Sequence, residues 1–198
     1  EAEDFEKTDL IIKGPGVRPD SEFLKIARKK NIPVLTDIGI FLQECPGRII
    51  GVTGTRGKST AAFLIWKLSQ TKLKRVHLAG NIRRSVLELL SEVKKEDWVV
   101  LELSSFQLQD LEDSGVKVSG KPEIAVLTNL LPDHLNWHRN FSDYVRAKSF
   151  IFKHQDKTNY LFLNRQDETV WELAKDARAQ IISPVPPADF KEIVIKNL

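Results

Sequence analysis

GVTGTRGKST, residues 51–60, continues the apolar run RII and leads into AAFLIWKLSQ. A strand over RIIGVT followed by a helix over 57–70 is the reading these runs give. Gly57-Lys58-Ser59 then closes a phosphate loop of the type G-x-x-x-x-G-K-[ST], in the strand–loop–helix setting that the loop requires. The first glycine of that pattern is displaced: Val52 stands in its place, Gly51 comes one residue earlier, and Gly54 supplies flexibility within the loop. The physics survives the shift, because successive backbone N–H groups and a helix N-terminus form an anion cradle. Lys58 is then expected on the β- and γ-phosphates, with Ser59 or Thr60 toward a magnesium ion. The plainer alternative is a glycine-rich turn with a surface lysine.

Outward from this loop, β-type runs alternate with amphipathic segments. LIIKG (10–14) reads as a strand ending in the Gly14-Pro15-Gly16 turn, and IPVLTD (32–37) as a second strand. Between them, Asp20 or Ser21 can cap a helix whose Phe23, Leu24 and Ala27 share a face. CPGR (45–48) punctuates the chain, and a domain boundary is placed there. Further strands are expected at RVHLAG (75–80), WVVLEL (98–103), EIAVLTN (123–129), NYLFLN (159–164) and near 180 and 193. Helices are expected over 57–70, 82–95, from about 142, and near 167–178. WVVLEL is apolar almost throughout, as a parallel strand buried on both faces must be. The alternation predicts an α/β fold, a mainly parallel sheet flanked by helices. Ligands gather at the carboxyl ends of such strands, here Thr53–Ser59, Gly80-Asn81, Glu102–Ser105 and Thr128–His134.

Composition narrows the classes. The 198 residues are 41% hydrophobic and 29% charged, with a net charge of +3, which makes no case for a nucleic-acid partner. Cys45 stands alone, which excludes an internal disulfide framework and a multi-cysteine zinc site and fits a reducing cytoplasm. No run approaches the ~20 apolar residues of a membrane span. Methionine is absent, so an internal fragment of a longer chain is expected.

Two charged residues stand where apolar ones belong. After Asn140, Tyr144, Val145, Ile151 and Phe152 form one helical stripe, and Lys148 falls within it. A lysine there must snorkel, pair or lose its proton. Glu102 lies inside the apolar strand before Ser104 and Ser105, where an isolated carboxylate needs a cation or hydrogen-bond donors. A structural arginine or a metal ion would meet that need. The loop TNLLPDHLNWHRN (128–140) gathers Asn129, Asp133, His134, Asn136 and His138. The i, i+4 histidines suit zinc on a helix, but Pro132 argues for a loop, and magnesium held by carboxylates, phosphates and water fits better. Capping of the next segment is the simpler role for Asp133-His134.

Together these residues resemble the Mur ligase superfamily, the ATP-dependent amide-forming ligases of peptidoglycan synthesis. The carrying motifs are TGTRGKS (53–59), AGNI (79–82), ELSSFQL (102–108), PDHLNWH (132–138) with YVRAKSFIF (144–152), GPGV (14–17) and IPVLTDIGIF (32–41). ELSSFQL looks most like the D-glutamate-adding branch. The resemblance implies a central P-loop ATPase domain preceded by the tail of a Rossmann-like domain. Residues 1–46 would be the C-terminal part of a UDP-substrate-binding domain and 47–198 an incomplete ATP-binding domain, the C-terminal ligase domain being absent. It implies ATP and two magnesium ions as cofactors, bound through Gly54, Thr55, Arg56, Gly57, Lys58, Ser59, Thr60 and Asn81. Lys148 would be carbamylated and bind metal with Glu102, His134 and Ser59; Lys58, Lys148, His134 and Glu102 would serve catalysis. Gly14, Pro15, Gly16, Thr36, Asp37, Asn81, Ser104, Ser105 and His134 would contact substrate. UDP-N-acetylmuramoyl-L-alanine and D-glutamate are the implied substrates, and a bacterial cytoplasmic monomer without nucleic acid or membrane insertion the implied setting. Arg56, Arg83, Gly39, Gly14 and Asn136 depart from the family's Asn, Gly, Glu, Ser and Asp. A sister ligase such as folylpolyglutamate synthase and a non-catalytic nucleotide- or UDP-sugar-binding module remain open. A P-loop GTPase is disfavoured because no N-K-x-D motif is present.

Overall fold

Ile11–Lys13 (β1) and Val34–Thr36 (β2) pair in parallel, joined by the crossover helix Glu22–Lys29 (α1). The computed structural model describes residues 8–82, 85–114 and 121–183. Ser21, rather than Asp20, caps α1, accepting from the Leu24 amide at 3.3 Å. Leu24 and Ala27 are buried as expected, but Phe23 is 54% exposed and turns away from them. Thr36 ends β2 and caps helix Asp37–Glu44 (α2), its hydroxyl accepting from the Gly39 amide at 3.0 Å.

The larger sheet has six strands: Arg48–Thr53 (β3), Val76–Gly80 (β4), Trp98–Glu102 (β5), Ile124–Leu127 (β6), Tyr160–Leu163 (β7) and Gln180–Ile182 (β8). Their order is β4-β5-β3-β6-β7-β8, every pair parallel, so the expected α/β class is the observed one. All five residues of β5 are buried, which is why its sequence cannot alternate. Helices Lys58–Ser69 (α3), Val86–Leu89 (α4), Ser105–Asp113 (α5), Phe141–Lys153 (α6) and Glu168–Glu172 (α7) connect the strands.

Two apolar clusters sandwich the sheet. On one face Ile38, Phe41 and Leu42 of α2 join Leu89, Leu108, Leu111, Tyr144 and Ile151 against Val99, Leu101, Ala125 and Leu161. On the other, Ile50, Val52 and Val100 meet Ala62 of α3. Each fully buried large apolar side chain contributes about 1.5–3 kcal/mol relative to exposure.

Two expected helices are shorter than their periodicity suggested. Among the described residues of the segment 82–95, only Val86–Leu89 are helical. Asp97, fully buried, accepts from the Lys94 amide at 3.0 Å and from His77 Nε2 at 3.1 Å, and this draws the chain into turns. The helix near 167–178 stops at Glu172 and tightens into a 3₁₀ turn over Leu173–Asp176. The strand expected near 193 and the Arg83 departure lie outside the described residues. Strand register sets Val52 and Gly80 beside Glu102 and Thr53 beside Leu127, which brings the carboxyl ends of β3, β4, β5 and β6 to one level.

Candidate active site

The loop between β3 and α3 owes its shape to two glycines. Gly54 has φ +146°, and a Cβ there would lie 2.0 Å from Thr128 Oγ1. Gly57 occupies the left-handed region at the start of α3, and among the described residues no side chain caps that helix. Its first-turn N–H groups and dipole therefore face the loop's opening. Lys58 Nζ donates to the Thr55 carbonyl at 2.9 Å. Ser59 and Thr60 are exposed at the same helix end, and Arg56 is exposed at the loop's apex. Thr55 is buried: its hydroxyl accepts from the Leu131 amide and lies 2.9 Å from Tyr144 Oη.

At the end of β5, Glu102 is 1% exposed. Asn81 Nδ2 donates to its Oε1 at 3.3 Å, while Oε2 is buried with no partner among the described residues. Among the described residues no arginine meets it. Gly80 is required beside it, since a Cβ there would lie 2.2 Å from the Glu102 carbonyl. Ser104 and Gln107 form a reciprocal capping box at the start of α5. Ser105 Oγ lies 3.0 Å from His138 Nε2.

Lys148 does not snorkel: it is 1% exposed, and Nζ donates to the Gly54 carbonyl at 2.7 Å. Burial, reinforced by Lys58, pushes its pKa down to about 7 against the opposing pull of Asp133 and Glu102. The His134/His138 pair is not a zinc chelate on one helix. His134 sits at φ +52° and is exposed, whereas His138 is buried against Ser105, with its pKa pushed down to about 4, chiefly by burial. Phe106 binds this loop together, its ring 4.8 Å from His134 and 4.6 Å from Trp137 between centroids. Asn140, rather than Asp133 or His134, caps α6.

A cavity of about 320 Å³ opens where these parts meet. Pro15, Gly16, Lys58, Asn81, Ser104, Ser105, His134 and Lys148 line it, with Phe106, Trp137 and Tyr144. The other phosphate-loop residues and Glu102 are not part of its lining. Thr36 lies elsewhere, on a cavity of about 310 Å³ beside Lys13 and Asp110. Its hydroxyl is used as a helix cap, and Asp37 Oδ1 accepts from the Ile38 amide. Gly14 lines neither cavity. Sequence reading gave no role of its own to Asn129, Thr128 or Phe106, placed Tyr144 only in an apolar stripe, and weighed His138 only as a zinc ligand. Only the gathering of polar residues after β6 hinted at the first.

The family profile of the Mur ligase middle domain matches residues 52–186. The chain belongs to the Mur ligase family. Among curated relatives of this Mur ligase is the UDP-N-acetylmuramoylalanine–D-glutamate ligase of Clostridium acetobutylicum, 37% identical over 174 residues, covering 88% of this chain and 36% of the relative. The enzyme of that name from Leuconostoc mesenteroides subsp. mesenteroides is 38% identical over 182 residues, covering 91% and 39%. The chain thus spans less than two-fifths of the length of these relatives. In fold it is similar to the MurF ligase of Thermotoga maritima solved in complex with ADP, with a TM-score of 0.58 and 19% identity over 90% of this chain and 48% of that one. MurF from Acinetobacter baumannii gives a TM-score of 0.56 at 22% identity, over 73% of this chain and 33% of that one.

Proposed function

We propose that this chain is the ATP-binding part, with the end of the UDP-substrate-binding part, of a ligase that joins D-glutamate to UDP-N-acetylmuramoyl-L-alanine. In this reading residues 1–46 belong to the substrate domain and 47–198 to the ATP-binding domain. ATP phosphorylates the substrate carboxylate, and the amine of D-glutamate displaces phosphate from the acyl phosphate. The observation that carries the reading is the cavity at the strand ends, where Lys58, Lys148, Asn81 and His134 converge beside the uncapped end of α3.

Glu102 supports a divalent cation, because its buried carboxylate oxygen has no donor among the described residues and is costly until a cation meets it. Glu102, His134, Ser59 and Lys148 would hold two magnesium ions, Lys148 as its carbamate. A desolvated amine titrating near neutrality has the free lone pair that addition to CO2 requires. Magnesium would offset charge on the phosphates and on the acyl phosphate. Lys58 would leave the Thr55 carbonyl for the transferring phosphoryl group. Asn81 would orient both Glu102 and the substrate, and Ser104 and Ser105 would border the substrate. Catalysis by a cytoplasmic monomer, with neither nucleic acid nor membrane as partner, completes the proposal.

The test is D-glutamate-dependent phosphate release by the full-length protein and its Lys58→Ala variant, with other amino acids and folates as a substrate panel. Lys58→Ala is expected to lose turnover by about 10²–10³-fold or more. Near-normal activity in that variant, or preference for another acceptor, would overturn the assignment.

A further inference from the structure

The phosphate loop is gripped from outside by two residues just beyond β6. Arg56 N donates to Asn129 Oδ1 at 2.9 Å, and Asn129 Nδ2 donates to the Arg56 carbonyl at 2.9 Å. One carboxamide thus pairs with both backbone groups of one residue, as a neighbouring strand would. Thr128 Oγ1 donates to the same Arg56 carbonyl at 2.8 Å, and the Thr55 amide donates to the Asn129 carbonyl at 2.9 Å. Gly54 has no side chain because this pair lies against it: an added Cβ would stand 3.2 Å from the Asn129 nitrogen as well as 2.0 Å from Thr128 Oγ1.

The orientation of one peptide follows. In a trans peptide the carbonyl of residue 56 and the N–H of residue 57 lie in one plane and point in opposite directions. With two donors holding the Arg56 carbonyl toward Thr128 and Asn129, the Gly57 N–H is turned to the other side. There it joins the uncapped first-turn N–H groups of α3. If that peptide flipped, a carbonyl oxygen would meet the anion in place of a donor, and the cradle would become repulsive. We propose that Asn129, seconded by Thr128, is the positioning residue of the phosphate loop, holding the 56–57 peptide with its N–H toward bound phosphate. The inference rests on the phosphate-binding reading of that loop. It also makes the loop that carries His134 and the phosphate loop one mechanical piece.

The experiment uses the full-length protein with Asn129→Ala, Asn129→Asp and Thr128→Val. Calorimetry with Mg-ADP gives affinity, and hydrogen exchange over residues 52–60 follows the Arg56 amide. Loss of two neutral hydrogen bonds in Asn129→Ala is expected to weaken Mg-ADP by about ten- to thirtyfold, with faster exchange at Arg56. Asn129→Asp keeps the acceptor for the Arg56 amide but turns a carboxylate oxygen on the Arg56 carbonyl, so its affinity should fall at least as far. Thr128→Val removes one donor and should cost about threefold to tenfold; it decides the matter if Asn129→Ala does not fold. Affinity unchanged in Asn129→Ala or in Asn129→Asp overturns the proposal. If the unaltered protein does not bind Mg-ADP, the phosphate reading fails, and the exchange rate alone then judges the clamp: faster in Asn129→Ala sustains it, unchanged refutes it.

Discussion

Lys13→Met isolates one buried contact and comes with a pH signature. Lys13 Nζ lies 2.6 Å from Asp110 Oδ1, with the side chains 5% and 4% exposed. It also donates to the Val17 carbonyl at 2.8 Å, while Asp110 Oδ2 has no partner among the described residues. Burial pushes Asp110 up to about 6 although Lys13 pulls the other way. In the unfolded chain such a carboxyl titrates near 3.9. The folded state therefore binds this proton more tightly, and ionised Asp110 opposes folding above pH 6. That opposition, about 3 kcal/mol, fades as the pH falls from 6 toward 4. Removing the ammonium drives the carboxyl pKa higher still and leaves an uncompensated charge at high pH. Lys13→Met should thus cost about 3–5 kcal/mol at pH 8. Near pH 5 the carboxyl is protonated, and the cost should shrink to about 1–2 kcal/mol for the lost hydrogen bonds. Lys13→Met/Asp110→Leu removes both charges and should return within about 1 kcal/mol of the starting protein. Urea unfolding of all four members of the cycle at pH 5 and pH 8, followed by tryptophan fluorescence, measures each term. A cost that does not depend on pH, or is larger at pH 5, would refute the reasoning; so would a double variant no more stable than Lys13→Met.

Three more outcomes follow from the site. Gly54→Ala forces a Cβ against Thr128 Oγ1 at a backbone angle alanine rarely adopts, so stability should fall by about 2–5 kcal/mol in thermal unfolding; an unchanged midpoint would contradict the close approach. Tyr144→Phe removes the hydroxyl beside Thr55 and should cost about 1 kcal/mol in urea unfolding, no loss meaning that this contact contributes nothing. Lys148→Ala in the full-length protein should be inactive and partly restored by acetate, which supplies the carboxylate of a carbamate; failure of rescue would leave Lys148 a structural role only.

The sheet and the phosphate loop were legible because buried parallel strands are written as apolar runs and because Gly57-Lys58-Ser59 sits where a strand turns into a helix. Lys148 and Glu102 were legible as conflicts, charged groups where periodicity demanded apolar ones. What escaped was whatever depended on a partner distant in sequence. Periodicity over 82–95 signalled a helix, but the described helix ends at Leu89, and beyond it the buried Asp97 carboxylate holds the Lys94 amide in a turn. Nothing local to Lys13 announces Asp110, and nothing local to Asn129 announces Arg56. Thr36, a substrate contact implied by the resemblance, also caps the helix that follows through its hydroxyl, a role the sequence reading did not assign.

Strand order has a further consequence for how the chain is made. β3 sits between β5 and β6, so the strand leading into the phosphate loop is synthesised well before either neighbour. Arg56 and Asn129 are 73 residues apart. At about 5–20 residues per second, the loop leaves the ribosome about 4–15 s ahead of the residues that shape it. During that interval its glycines leave it free to wander, and closing so long a span is a slow event. The nascent protein should therefore gain its hold on nucleotide abruptly, when the segment after β6 emerges, rather than gradually as the loop and its helix form.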